Sequence, residues 1–247
     1  MTYLPLQPRR VPLAAIARAL SAGWSMLKRT AGISCGFAAI FAAIGLVLLV
    51  TLGASGLTPL AFPMAGGFML VGPPLLTGYF NVFRIVEAGG SPRFGDLFDG
   101  LRSAPRAVWV IAMVCMLLFM IWVTDAAVIY SFMIGRGPVL VRDILPRGAD
   151  IAAFEFYGSL MGTALAFAIF TISAFSVPLL FERRTTLIGA VSTSVRAVFG
   201  NLRVSLPWAF VLASAIMASI LVLPLFIVVL PWLAYASYRL YREVFPI

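Results

Sequence analysis

Apolar residues recur along this chain in two rhythms that alternate three times. After a proline-bearing leader, residues 1–11, the positions Leu13, Ile16, Ala17, Leu20, Trp24 and Leu27 fall at helical spacing, with Arg18, Ser21, Ser25, Lys28 and Arg29 between them. That spacing predicts an amphipathic helix. Its cationic face and tryptophan suit either a helix lying in the headgroup plane or one packed against the underside of a bundle. Residues 33–54 then run 22 positions without a charge, enough to cross a hydrocarbon core that needs about 20. A short uncharged turn at 53–58 makes the next stretch, 59–88, its antiparallel partner. At about 1.5 Å per residue that stretch outruns the bilayer, so Arg84 and Glu87 are expected in the aqueous phase.

The same order returns twice. Gly89-Gly90-Ser91-Pro92 predicts a break and a helix start, with Ser91 as cap and Pro92 in the first turn. Phe94, Leu97, Phe98 and Leu101 then oppose Asp96, Asp99 and Arg102, and spans follow at 107–134 and 151–181. The loop between them, 135–150, carries Arg136, Arg142, Asp143 and Arg147. The third amphipathic stripe is Leu187, Ile188, Val191, Val195 and Val198, before spans at 202–222 and 225–244. The expected fold is therefore all-α: a polytopic membrane protein, one transmembrane domain over 1–247, with six transmembrane helices in three amphipathic-helix/span/span units. An even number of spans per unit makes the units parallel rather than inverted.

Composition agrees, since 62% of the 247 residues are hydrophobic and 11% charged, against about 25% charged in soluble domains. The formal charge of +9 is scattered between apolar runs, which points to a lipid bilayer with anionic headgroups and excludes nucleic acid as the partner. With both termini on one side, that side carries 15 of the 18 basic residues, and the other keeps Arg136, Arg142 and Arg147. The positive-inside rule then puts both termini in the cytoplasm. Histidine is absent, which removes the commonest metal ligand and general base, so no metal, no cofactor and no catalytic residue is expected. Cys35 and Cys115 each lie inside an apolar run and read as small core residues. No nucleophile elbow, P-loop, zinc-protease motif or pair of intramembrane aspartates occurs, so the chain is not expected to be an enzyme.

The second and sixth spans echo each other. Pro73 corresponds to Pro231 and Arg84 to Arg242, with Thr77, Tyr79 and Asn81 between the first pair and Tyr235, Ser237 and Tyr238 between the second. These polar groups would line a shared pocket or docking groove, or else form an interfacial aromatic belt with snorkelling arginines. Pro73 and Pro74 predict a kink at 69–72, and Pro178 and Pro231 predict others. Arg84 with Glu87 and Arg239 with Glu243 have helical ion-pair spacing. Gly158, Gly162 and Ala166 form a small-residue stripe suited to close helix packing. Asp125 and Glu155 fall near the outer ends of their spans, where Arg136 or Arg142 is in reach of Asp125 and the penalty for a membrane charge fades.

The runs GFMLVGPPLLTGYFNVFR and SAFSVPLLFERR, Gly200-Asn201-Leu202, and the terminal LPWLAYASYRLYREV resemble a bacterial membrane family known as domain of unknown function 2189. The resemblance covers roughly residues 12–244 and implies a multi-pass protein of the bacterial inner membrane. Some members carry a cytochrome c oxidase subunit label, which would imply a respiratory complex as membrane protein partner. Members usually show two histidines in the last motif; Tyr235 and Arg239 stand there in this chain, so haem and copper ligation is not available to it. The expected function is a non-catalytic accessory, assembly or scaffold component; the alternative is a transporter or channel for a small or lipid-like molecule. Substrate, partner identity and oligomeric state stay open.

Overall fold

The computed structural model describes residues 6–54, 61–133 and 149–246. The start of the leader, the turn at 55–60 and the loop at 134–148 with its arginines lie outside the described residues, as does the Glu155 side chain. Within them every element is helical: α1 (Ala14–Ala54), α2 (Ala61–Glu87), α3 (Phe94–Arg102), α4 (Arg106–Met133), α5 (Ala149–Ser173), α6 (Ser176–Phe181), α7 (Leu187–Gly200), α8 (Leu202–Leu221) and α9 (Leu223–Val244). Four stretches among the described residues are long and apolar enough to cross a membrane: Ala14–Leu48, Arg106–Ile129, Phe156–Phe181 and Leu202–Ser219. The expected second and sixth spans are the helices α2 and α9, which are not among those four. In α9 the reason is visible: its second half carries Tyr235, Tyr238, Arg239, Tyr241 and Arg242.

The first amphipathic stretch and the first span form one helix bent at Thr30, whose φ of −122° and ψ of 19° leave the helical range. The Thr30 hydroxyl donates to the Met26 carbonyl at 2.9 Å, a back-bond that competes with the helical ladder and favours bending. Helices α2 and α9 run through Pro73, Pro74 and Pro231 as single helices. Pro178, in contrast, follows a true break. Its ring presses on the Ala174 carbonyl and offers that group no N–H, so α5 ends at Ser173 and α6 begins at Ser176. The Phe175 N–H at this break donates to Ser194 Oγ of α7 at 3.2 Å.

The expected cap of α3 is also displaced. Arg93 rather than Ser91 occupies the N-cap, and its backbone N–H donates to Asp96 Oδ2 at 2.6 Å, the reaching-back half of a capping box.

The amphipathic helices bury small residues beside only some of their large apolar ones. Helix α1 turns Ala15, Ala19 and Gly23 inward with Leu27 and leaves Trp24 43% exposed, and α3 buries Leu97. In α7 the buried positions are Ala190, Thr193, Ser194, Ala197 and Val198, while Ile188 is 80% exposed. Helices in a bilayer gain little by hiding leucine or isoleucine from lipid; close backbone approach decides which face packs. By that route α1 packs along α9, α3 on α2, and α7 on α5 and α6. Outward faces of α4 (Val110, Met113, Leu117, Ile121) and α8 (Leu206, Phe210, Ile216, Met217) are apolar and exposed, as surfaces that meet lipid must be. In the larger buried cluster, aromatic residues of α2, α6 and α9 interleave; Phe80 stacks on Tyr238 with ring centroids 4.6 Å apart.

Candidate functional site

Helix α9 carries Tyr235, Tyr238 and Tyr241 three residues apart, which puts all three on one face, and all are fully buried. A buried hydroxyl must find partners, and two networks supply them. In the first, the Tyr235 hydroxyl lies 2.7 Å from Ser34 Oγ and 3.2 Å from Thr30 Oγ1. Ser34 Oγ in turn donates to Thr30 Oγ1 at 3.0 Å, and Tyr79 donates to the Ser34 carbonyl at 3.3 Å. The rings of Tyr79 and Tyr235 meet edge to face at 5.6 Å. This set fastens α2 and α9 to the bend of α1. Replacing Tyr235 by Phe removes one hydroxyl that makes two buried contacts and keeps the ring. It is expected to lower stability by about 1–2 kcal/mol, read as a lower midpoint of thermal unfolding in mild detergent.

The second network centres on Glu182, whose side chain is 8% exposed. Tyr238 and Tyr241 each donate to one of its carboxylate oxygens at 2.6 Å. Arg242 Nε sits 3.1 Å from Glu182 Oε1, off the direction of a hydrogen bond, and so contributes as an ion pair. The same guanidinium reaches Glu87 of α2 through its NH2 group at 3.1 Å and lies over the Tyr238 ring at 5.3 Å. Arg184 donates to the Tyr241 hydroxyl at 3.3 Å and to the Phe245 carbonyl at 2.9 Å, with Glu182 at 3.8 Å.

A Schellman turn positions this carboxylate. After α6, the Arg183 N–H donates to the Leu180 carbonyl and the Arg184 N–H to the Leu179 carbonyl, which needs a left-handed residue at Arg183, with φ 53°. The turn thus delivers Glu182 and Arg184 to the tyrosine face of α9.

The residues singled out in the sequence are mostly turned inward. The single Thr77 hydroxyl proton is shared between the Pro74 carbonyl at 2.6 Å and the Gly100 carbonyl at 2.9 Å, and Asn81 Nδ2 donates to the Asp96 carbonyl at 2.8 Å. Both therefore tie α2 to α3. Arg84 lies over the Phe181 ring at 5.6 Å, and Ser237 is half-buried. The pairs expected within single helices are replaced by pairs between helices: Arg242 with Glu87, and Arg18 with Glu243 at 2.6 Å. Of the small-residue stripe, Gly162 faces Trp122, Gly158 meets nothing within 4 Å and Ala166 is exposed. Asp125 is half-buried, and the arginines expected near it lie outside the described residues.

Glu182, Tyr241 and Arg184 escaped the sequence reading as site residues. The signal was a carboxylate placed directly after an apolar, proline-broken span, opposite tyrosines at i and i+3 spacing on another helix. Among the described residues no cluster of three or more potential metal ligands occurs.

Residues 61–182 match the model of a family described as predicted integral membrane protein (DUF2189). The matched segment begins with α2 and ends at Glu182. No curated protein and no solved structure matches the chain.

Proposed function

We propose that this DUF2189-family integral membrane protein is a non-catalytic accessory, assembly or scaffold component of a bacterial inner membrane. One observation carries the reading: the polar side chains that α2 and α9 turn inward are spent on partners within the bundle. Thr77 and Asn81 hold α3, Tyr79 and Tyr235 hold the bend of α1, and Tyr238, Tyr241 and Arg242 close on Glu182. A transport route through this region would need those groups to face water or substrate. Six spans in three parallel units, with both termini cytoplasmic, complete the proposal. The contacts favour it, because the second span of each unit packs on the amphipathic helix of the next: α2 on α3, α5 and α6 on α7, and α9 back on α1. The distribution of basic residues supports the orientation.

Single cysteines at Thr77 and Tyr235, in a chain with Cys35 and Cys115 replaced by alanine, are expected to resist a water-soluble maleimide. Ser192→Cys, on the exposed face of α7, is expected to label. Labelling at both inner positions would turn the assignment toward a transporter or channel. The partner is sought by mass spectrometry of proteins that co-elute from mild detergent. Stoichiometric membrane subunits, those of a respiratory oxidase first among them, support the accessory role, and a chain that elutes alone with a bound small solute overturns it.

A further inference from the structure

A groove of about 420 Å³ opens between the bend of α1 and the α2–α3 turn. Its lining mixes polar and apolar side chains: Arg29, Thr30 and Ser91 with Ile33, Val86 and Pro92. Arg29 is the last charge of α1 before an uncharged run to Ala54, so the groove lies at the depth where headgroups meet hydrocarbon. It takes part in no ion pair among the described residues. Above the groove, Ile40, Ile44 and Val47 are 38%, 47% and 63% exposed, and their spacing puts them on the same face of α1 as Ile33. A cation and a hydroxyl at the boundary, continued by an apolar track into the bilayer, match an amphiphile with an anionic head.

We infer that this groove seats the phosphate headgroup of an anionic phospholipid, with Arg29 and Ser91 toward the phosphate and an acyl chain along Ile33, Ile40 and Ile44. Arginine suits phosphate because its donors form a fixed fork. The site needs the chain to be membrane-embedded and does not depend on the scaffold role.

Gly32 lines the groove, and a Cβ added there meets nothing within 4 Å, so the side chain of Gly32→Leu starts in open space and occupies the groove. The test is native mass spectrometry of the full chain in mild detergent, with phosphatidylglycerol or phosphatidylcholine added. Wild type is expected to retain phosphatidylglycerol preferentially. Arg29→Gln and Gly32→Leu are each expected to weaken that retention about tenfold, as loss of one charge-assisted contact or of the space itself should. Arg196→Gln, an exposed arginine of α7, is expected to leave it unchanged. Equal retention of the two lipids, an Arg196→Gln effect as large as that of Arg29→Gln, or full retention by Gly32→Leu would each overturn the site. Raised thermal stability with inorganic phosphate but not with phosphatidylglycerol would show a free-anion site and overturn the lipid assignment.

Discussion

Glu182→Ala is expected to cost more stability than any other side-chain truncation at the charged end of the bundle. Four groups lose their shared acceptor at once: the Tyr238 and Tyr241 hydroxyls and the Arg242 and Arg184 guanidinium groups. Breaking a buried ion pair by removing one partner costs about 3–5 kcal/mol, chiefly because the other charge stays buried. Arg242 and Arg184 retain 14% and 22% exposure, so water screens part of that loss and the lower end, about 3 kcal/mol, is the expected value. Glu182→Gln keeps the shape and one carbonyl acceptor, and should fall between the two. The measurement is the unfolding free energy in mixed micelles, combined with Tyr238→Phe in a double-mutant cycle. Alone, Tyr238→Phe removes a hydrogen bond to a charged group, worth about 1.5–3 kcal/mol. On the Glu182→Ala background that bond is already gone, so the second substitution should cost at least about 1 kcal/mol less. Strict additivity would mean that the hydroxyl and the carboxylate do not act together, and the network described above would be wrong.

Why this carboxylate was hard to see in the sequence is instructive. Glu182-Arg183-Arg184 follows an apolar span and looks like a solvated stop. Only the left-handed turn at Arg183 and the break before Pro178 reveal that the chain doubles back and aims Glu182 at α9. Ion-pair spacing misled for a related reason. Arg84 and Glu87 do sit one turn apart, but Glu87 finds Arg242 of another helix, because local spacing says nothing about what a neighbouring helix brings.

The helical pattern itself was legible, since uncharged runs have few alternatives to helices in a bilayer. The amphipathic helices were legible as elements, and their buried faces in part: Leu27, Leu97 and Val198 of the expected stripes are buried. Periodicity points to the large apolar side chains, as it would in water, whereas α1 and α7 also pack through alanine, glycine, serine and threonine and leave Trp24 and Ile188 outside. The proline echo between α2 and α9 was visible, and its meaning lies one turn further on. Counted from the paired prolines, Gly78 corresponds to Ala236, and both sit where an amphipathic helix crosses.

Those crossings make the second large prediction. A Cβ at Gly78 would lie 2.6 Å from the Leu97 carbonyl oxygen, and one at Gly100 would lie 2.7 Å from the Thr77 carbonyl oxygen and 2.8 Å from Gly78 Cα. These obstacles are backbone atoms, so no rotamer change relieves them and α2 must move away from α3. The separation would also stretch the bonds from Thr77 to the Gly100 carbonyl and from Asn81 to the Asp96 carbonyl. Overpacking costs about 1–3 kcal/mol and each buried hydrogen bond about 1 kcal/mol. Alanine returns only about 0.5–1 kcal/mol of helix preference over glycine. Gly78→Ala and Gly100→Ala are therefore each expected to lose about 2–4 kcal/mol of unfolding free energy. Gly95 supplies the opposite case on the same helix, because a Cβ there meets nothing within 4 Å. Gly95→Ala should gain about 0.5 kcal/mol from helix preference alone. The sign is what decides: if Gly78→Ala and Gly95→Ala both stabilise, glycine preference governs α2 and α3 and the close crossing does not exist. Gly23→Ala, whose Cβ would lie 2.8 Å from the Ala236 backbone nitrogen, must follow Gly78→Ala rather than Gly95→Ala if the α1–α9 crossing is built in the same way.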